Sequence, residues 1–209
     1  MGIVVGLEAE ARIARLLGAP VEVGGGEAEG AEAAASRLIG AGIRSLLSFG
    51  LAGGLDPSLA PGALIVPDVI LSADGHFPTH PPLAAALGRV GGAVWSGGAV
   101  LPTEAAKRAV YEKTGAAAVD LESAAVAAAA ARRAIPFAAL RAICDPAGRS
   151  LPRAALVALD GQGRIGPWRV ARTALAHPRE LPSLLALASD AAKARRALAR
   201  RVKAIARSQ

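Results

Sequence analysis

Short apolar runs alternate with alanine-rich segments of helical periodicity along most of this chain. The runs predict strands at residues 3–5, 45–49, 64–66, 69–71, 93–96, 116–119 and 137–143. The segments between them predict helices at residues 7–17, 31–41, 103–114 and 123–133. Such alternation is typical of an α/β fold in which a mainly parallel or mixed sheet is covered by helices.

Length and composition fit one domain, residues 1–209, with a sizeable core. The hydrophobic fraction of 53% comes mainly from alanine, and aromatic residues make up only 3%. No apolar stretch reaches the ~20 residues of a membrane span, and the N-terminus lacks the basic region of a signal peptide. Cys144 is the only cysteine, which excludes an intrachain disulfide and favours a reducing cytoplasm.

The net charge of +7 is concentrated near the C-terminus. Residues 193–207 carry seven Lys or Arg and no acid, with Leu198, Val202 and Ile205 at helical spacing. A basic amphipathic helix is therefore predicted at about 188–207. It would pack one stripe on the core or bind an anionic membrane surface. Nucleic acid is disfavoured because no aromatic residues interleave the charges.

Glycines or an acid follow several predicted strands, at Gly6, Gly50, Gly97 and Asp145. In α/β sheets, ligands bind beyond the carboxyl ends of strands, so the chemistry is expected there. The stretch 50–54, GLAGG, would let backbone approach a ligand closely. It is neither GxGxxG nor a phosphate loop ending in GK[ST], so it indicates no dinucleotide or nucleotide triphosphate site.

Two carboxylates stand in an alanine- and valine-rich stretch, at Asp120 and Glu122. At the end of a strand they would share one face. At the start of a helix, Asp120 would be an N-cap. A capping box would place its acid at position 123, which is Ser123, so capping does not explain Glu122. Because a carboxylate in an apolar layer is costly unless it binds something, Glu122 is a candidate for ligand contact.

Other polar residues carry weaker signals. Asp145 follows an apolar strand and precedes a proline, which fits either a turn or a functional acid. Cys144 has no base beside it and is interpreted as a small buried residue rather than a nucleophile. His76 and His80 are separated by a proline that prevents a metal-binding helix, so they predict a loop over the site, and no metal is expected.

Taken together, these motifs resemble the purine nucleoside phosphorylase superfamily. Residues 50–54, 119–123 and 141–145 stand where methylthioadenosine/S-adenosylhomocysteine nucleosidases have GSAGG, VEMEA and RAISD. The resemblance covers about residues 3–147. It implies a three-layer sandwich around a central mixed, mostly parallel twisted sheet, without a cofactor.

The resemblance also implies roles in cleaving an N-glycosidic bond. Asp145 would protonate the departing purine near N7, and Glu122 would orient the ribose hydroxyls beside the developing positive charge. Glu10 would activate a water on the opposite face. The remaining substrate contacts implied by the resemblance are Leu51, Ala52, Gly53, Val100, Leu101, Leu121 and Cys144.

Several departures from the nucleosidase pattern point to a particular substrate. Leu51 replaces a serine, and residues 151–187 form an unusual apolar segment containing Trp168. With GLEAEAR, FGLAGGL and VDLES, the chain resembles most closely the hopanoid-associated phosphorylase family. That resemblance implies adenosylhopane as the substrate, a nucleoside with a large apolar 5′ group. It also gives the basic C-terminal helix a purpose at the membrane, and relatives suggest a homodimer.

The attacking group and the activity itself have open alternatives. Glu10 stands where hexameric phosphorylases have an arginine, which favours water over phosphate as the nucleophile. Arg12 or an arginine of a partner subunit could still compensate, with phosphate as co-substrate. A methylthioadenosine/S-adenosylhomocysteine-type nucleosidase and a non-catalytic purine-nucleoside binding protein are the alternatives to an adenosylhopane enzyme.

Overall fold

The computed structural model describes residues 1–88, 90–156 and 176–207. Within them, nine strands form one mixed sheet with helices packed on it, so the predicted fold class is confirmed. The strands are β1 (Gly2–Val5), β2 (Val21–Val23), β3 (Leu46–Gly54), β4 (Leu64–Ile65), β5 (Val69–Ser72), β6 (Gly75–Pro78), β7 (Ala93–Ser96), β8 (Ala118–Asp120) and β9 (Phe137–Asp145).

Helices cover the sheet from both sides. They are α1 (Glu8–Ala14), α2 (Ala28–Gly40), α3 (Pro81–Ala86), α4 (Glu104–Thr114), α5 (Ser123–Ala131), α6 (Arg153–Leu156) and α7 (Leu181–Arg207), with 3-10 turns at Arg15–Leu17 and Pro178–Glu180. Buried apolar side chains form a separate cluster on each face of the sheet, one under α2 and α5 and the other under α1 and α7.

Strand β3 organises the sheet. It pairs in parallel with β1 and β9, and its last residues pair antiparallel with β8. The described order is β2-β1-β3-β8-β7-β5-β6, with β9 lying against β3 and β4. A register shift between Ala52 and Gly53 marks a bulge where β3 passes from one set of partners to the other.

The glycine-rich stretch is part of this strand, which corrects the prediction that the strand ends at Phe49. The chain continues extended through Gly54 because β9 pairs with it from Gly50 onward. The two strands that the sequence analysis missed, β2 and β6, are short and lie at opposite ends of the strand order. VEV has the alternation and the valines of a strand but is only three residues long, and GHFP combines a glycine and a proline, which are depleted in strands.

The C-terminal helix α7 begins at Leu181, earlier than the predicted 188. Leu198 and Val202 are fully buried against the sheet, and Arg201 donates hydrogen bonds to the carbonyls of Leu87 and Gly88 at 2.9 and 3.1 Å. The apolar stripe of α7 therefore packs on the core. The exposed basic face consists of Arg196, Arg200, Lys203 and Arg207.

The described residues bear on two expectations, the membrane contact and the apolar segment of residues 151–187. Among the described residues, no helix is both long and apolar enough to cross a membrane. Most of the apolar segment predicted at residues 151–187, including Trp168, lies outside the described residues.

Candidate active site

Four chain segments converge at the carboxyl ends of neighbouring strands. Gly6 follows β1, residues 51–53 form the end of β3, Asp120 ends β8, and Asp145 ends β9. This edge is where ligands bind in α/β sheets. Two clusters of buried ionisable side chains lie along it, and β3 runs between them.

Glu10 is held rigidly at this edge. Its side chain is buried, and Oε2 accepts hydrogen bonds from the N–H groups of Gly6 and Leu7 at 3.0 and 2.9 Å. Oε1 accepts from the N–H of Leu51 at 2.7 Å. Burial raises the pKa of Glu10, while these hydrogen bonds and the charge of Arg141 oppose the rise. A carboxylate whose pKa is raised is a stronger base than an ordinary glutamate, which suits it to accept a proton.

Arg141 lies in the middle of β9 and is only 1% exposed. Its Nε donates to Oδ2 of Asp120 at 2.6 Å, and its Nη2 donates to the hydroxyls of Ser48 and Ser123 at 2.6 and 2.9 Å. The sequence analysis did not select Arg141 as a site residue. A signal for it existed, because it is the single charged residue in the apolar run FAALRAI.

Asp120 has two structural tasks at once. Oδ1 accepts from the backbone N–H groups of Glu122 and Ser123 at 3.2 and 3.1 Å, in the turn that leads into α5, while Oδ2 binds Arg141. The interpretation of Asp120 as the N-cap is wrong, because that position is occupied by Glu122. Burial raises the pKa of Asp120, but Arg141 and the hydrogen bonds from serine outweigh it, and the net pKa is lowered. Asp120 is therefore a carboxylate committed to holding the arginine.

Glu122 lies beyond the end of β8, at the N-cap position of α5, so it does not share a strand face with Asp120 as one interpretation required. Its buried Oε1 accepts from the N–H of Gly26 at 3.3 Å. Burial raises the pKa of Glu122 to about 7; Arg141 opposes this, whereas Glu10 and Asp120 add to it. We call Glu10, Asp120, Glu122 and Arg141 the Arg141 cluster.

Two glycines make room for this cluster. A Cβ atom on Gly50 would lie 2.6 Å from Oε1 of Glu10 and 2.8 Å from Nη1 of Arg141. A Cβ atom on Gly6 would lie 2.7 Å from Oε2 of Glu122. All three distances are shorter than real Cβ contacts, so a larger residue at either position would collide with a buried charged group.

Asp145 lies at the other side of β3, opposite Gly53 in the strand pairing. Its Oδ2 accepts a hydrogen bond from Nζ of Lys107 at 2.5 Å, and its Oδ1 is buried with no hydrogen-bond partner within residues 1–88, 90–156 and 176–207. Burial raises the pKa of Asp145, and Lys107 opposes the rise. Lys107 also donates to the carbonyls of Pro146 and Arg149. We call Lys107, Asp145 and Arg149 the Lys107 cluster.

Lys107 is a second residue that the sequence analysis missed. It lies on α4 in helical register with Val110, Tyr111 and Thr114, all of them at least partly buried. A lysine on the buried stripe of a helix needs a partner, and this was the available signal. Its partner could not be read from the sequence, because the two residues are 38 positions apart.

The two clusters are separated by a short piece of β3. Glu10 binds the N–H of Leu51, and Asp145 lies beside Gly53. Two residues of extended strand span about 7 Å. A flat ligand lying over this backbone would therefore have a carboxylate at each end.

The remaining predicted contact residues differ in their surroundings. Leu121 is half-buried between Asp120 and Glu122, whereas Ala52 is buried in the core, so only its backbone is available to a ligand. Val100 is exposed, and Leu101 packs with the apolar cluster around Val119. Burial raises the pKa of the Cys144 thiol to about 12, which leaves no thiolate to act as a nucleophile.

The two histidines lie apart from each other. His76 is exposed on β6, and His80 directly precedes α3. Within residues 1–88, 90–156 and 176–207, no group of three or more His, Cys, Asp or Glu side chains is arranged to hold a metal ion.

The sequence matches the family described as the Phosphorylase superfamily, over residues 21–90 and 83–162. No curated protein sequence matches the chain. Among solved structures, the 5′-methylthioadenosine/S-adenosylhomocysteine nucleosidase of Helicobacter pylori is 16% identical, with a TM-score of 0.74 over 100% of this chain and 97% of that one.

Two further solved structures share the fold. Futalosine hydrolase of Helicobacter pylori is 16% identical, with a TM-score of 0.74 over 100% of this chain and 97% of its own. The nucleosidase of Colwellia psychrerythraea 34H, in complex with adenine, is 23% identical, with a TM-score of 0.64 over 70% of this chain and 82% of its own. These similarities confirm the nucleoside phosphorylase-like fold.

Proposed function

The chain belongs to the Phosphorylase superfamily, and from this premise we propose that it cleaves the N-glycosidic bond of a 5′-substituted adenosine and releases adenine. The family confirms the predicted class of enzyme, a nucleosidase or phosphorylase acting on N-glycosidic bonds. The observation that carries the finer proposal is the placement of Glu10 and Asp145 at the two ends of residues 51–53.

The geometry supports a division of labour between the two carboxyl groups. Asp145 is the general acid, because its Oδ1 has no hydrogen-bond partner in the part of the chain that the structure describes, and because burial raises its pKa, which favours the protonated form. As the bond to the purine breaks, positive charge develops on the ribose. Glu122 is the carboxylate that orients the ribose hydroxyls and stabilises this charge.

Water is the nucleophile that the Arg141 cluster supports best. Three buried carboxyl groups surround a single guanidinium, which is already bound to Asp120. An anion such as phosphate would meet an excess of negative charge there. Arg12, which could compensate, is exposed on α1. We therefore propose hydrolysis with Glu10 as the base, and phosphorolysis is the alternative.

The 5′ substituent is proposed to be large and apolar, with adenosylhopane as the substrate. Four exposed apolar side chains belong to the loop after β7 or to the apolar segment of residues 151–187: Val100, Leu156, Leu181 and Leu185. The N–H of Leu151 donates to the carbonyl of Pro102 at 2.8 Å, so the start of this apolar segment is hydrogen-bonded to the loop after β7.

Two of the similar solved structures are methylthioadenosine/S-adenosylhomocysteine nucleosidases, which favours an enzyme of that type as the second candidate. Product mass after incubation with adenosylhopane or methylthioadenosine, with and without phosphate, decides between these readings. We expect adenine and a free ribosyl product in both buffers, with adenosylhopane preferred. A ribose 1-phosphate product that needs phosphate would establish phosphorolysis, and no adenine from either nucleoside would leave a binding protein.

We also propose a homodimer in the cytoplasm that contacts anionic membrane through the basic face of α7. Because the apolar stripe of α7 is packed on the core, this contact must be electrostatic, at about 1 kcal/mol for each cation near the surface. Replacing Arg196, Arg200, Lys203 and Arg207 by Gln should abolish sedimentation with vesicles rich in phosphatidylserine. Unchanged sedimentation would refute the membrane contact. The homodimer is tested separately by light scattering, which measures the mass of the protein in solution.

A further inference from the structure

The ammonium group of Lys107 is fully engaged at the end of β9. The side chain is only 1% exposed, and Nζ donates to Oδ2 of Asp145 at 2.5 Å and to the carbonyls of Pro146 and Arg149 at 3.0 and 2.8 Å. A lysine ammonium has three donors, so all three are used. The group is therefore fixed in place.

The same carboxyl group has one oxygen that the protein leaves unused. Asp145 is 5% exposed, and its Oδ1 is buried with no hydrogen-bond partner among the described residues. A buried polar atom without a partner is costly, and native proteins keep such atoms where a ligand completes the bonding. One oxygen of Asp145 is thus clamped, and the other is left for a ligand.

We propose that Lys107 is a positioning residue for the general acid, an inference that rests on the function proposed above. Lys107 holds Oδ2 so that Oδ1 presents the acid proton to the purine. In the step, the Oδ1–H bond breaks and an N–H bond forms on the purine ring. The electron pair of the glycosidic bond passes into the purine, and Asp145 is left as a carboxylate facing the Lys107 ammonium. The ribose carbon forms its new bond to the oxygen of the water, whose proton passes to Glu10.

This arrangement also sets the strength of the acid. Burial disfavours the carboxylate that the step produces, and a neighbouring ammonium favours it. Without Lys107, Asp145 would keep its proton up to a higher pH and would release it to the purine less readily. A lysine that only braced the turn at residues 146–149 would not have this effect.

Three variants separate the two roles. Lys107→Met and Lys107→Gln both remove the positive charge. The glutamine keeps a hydrogen-bond donor for a backbone carbonyl, so this variant is used if Lys107→Met does not fold. Lys107→Arg keeps the charge. For adenine release, we expect the neutral variants to lower kcat about tenfold or more, with KM changed less. The alkaline limb of their pH–rate profile should move up by about one unit, because the acid holds its proton more tightly. Lys107→Arg should restore the position of that limb.

A second measurement does not depend on turnover. The ¹³C carboxyl resonance of Asp145, assigned by its loss in Asp145→Asn, is titrated in the wild type and in Lys107→Gln. Its midpoint should rise by about one unit or more in the variant. An unchanged midpoint, together with an unchanged alkaline limb, would overturn the proposal. If the wild type released no adenine, the proposed function would fail, and the titration midpoint would still decide the role of Lys107.

Discussion

The Arg141 cluster and the Lys107 cluster solve the problem of buried charge in opposite ways. In the first, one guanidinium is surrounded by Glu10, Asp120 and Glu122, so carboxyl groups outnumber the cation. In the second, the Lys107 ammonium binds one carboxyl group and two neutral carbonyls, and the Arg149 guanidinium is paired with the carboxylate of Asp190. The first is therefore poor in positive charge and the second is balanced.

Under the proposed function, this difference would match the needs of the two ends of a nucleoside. The end that attacks and stabilises a cationic sugar benefits from excess negative charge. The end that protonates the base needs a carboxyl group that can hold a proton and then release it. A single strand, β3, separates the two environments by about two residues, so the polarity of the site changes sharply over about 7 Å.

The largest expected effect follows from removing the cation of the first cluster. Arg141→Met should lower the free energy of unfolding by about 3–5 kcal/mol, because it leaves buried carboxylates uncompensated. Lys107→Met should cost less, since Asp145 alone can take up a proton. Urea denaturation at pH 7.5 measures both, and the exposed Arg133→Met is the control. Equal losses in the two buried variants would remove the distinction between the clusters.

Removing the proposed acid or the proposed base alone should be enough to lower the rate of adenine release. Asp145→Asn should lower adenine release by about 100-fold or more, because the amide cannot donate a carboxyl proton. Glu10→Gln should reduce it to a similar extent by removing the base, while leaving adenine binding intact. Steady-state kinetics with methylthioadenosine and isothermal titration with adenine measure the two effects. Near-normal turnover in either variant would contradict the role assigned to that residue.

Glu122 links activity to stability through pH. Its pKa rises on folding from the ordinary 4.5 to about 7, so the folded state binds the proton more tightly than the unfolded one. Its contribution to stability is complete below about 4.5 and is lost as pH rises through about 7. Glu122→Gln should therefore be more stable than the wild type by about 3 kcal/mol at pH 8, with little difference at pH 4.5.

Urea midpoints at the two pH values test this expectation. The same variant should lose activity, since the amide cannot stabilise a cationic sugar. If the wild type and Glu122→Gln differed equally at both pH values, burial would not have shifted this pKa. The exposed Glu112→Gln, on the outside of α4, provides the matched control.

The Arg141 cluster was partly visible in the sequence and the Lys107 cluster mostly was not. Glu122 could be selected because an acid between apolar residues violates a simple rule of burial. Asp145 could be selected because it ends an apolar strand. Lys107 lies on a helix that carries other cations, and although it falls on the buried stripe of that helix, its partner at the end of β9 is visible only in the structure.

The fold shows a similar limit. Alternating strands and helices predicted the class, because each element carries its own periodicity. The extension of β3 through Gly54 could not be predicted, because three glycines favour a turn in isolation and only pairing with β9 and β8 keeps them extended. In this region, pairing with distant strands overrides the local conformational preference of the glycines.

The smallest expected effect tests whether the Arg141 cluster has too little positive charge to bind phosphate. Arg12 is the cation that could supply a phosphate site, yet it is exposed on α1, while Glu10 on the same helix is buried. Arg12→Ala should therefore change the rate of adenine release by less than about twofold in phosphate or in a phosphate-free buffer, as should Arg15→Ala. If Arg12→Ala lost activity only in phosphate buffer, the exposed arginine would contribute to the site. The Arg141 cluster would then be part of a phosphate-binding centre, and the proposal of water as the nucleophile would be wrong.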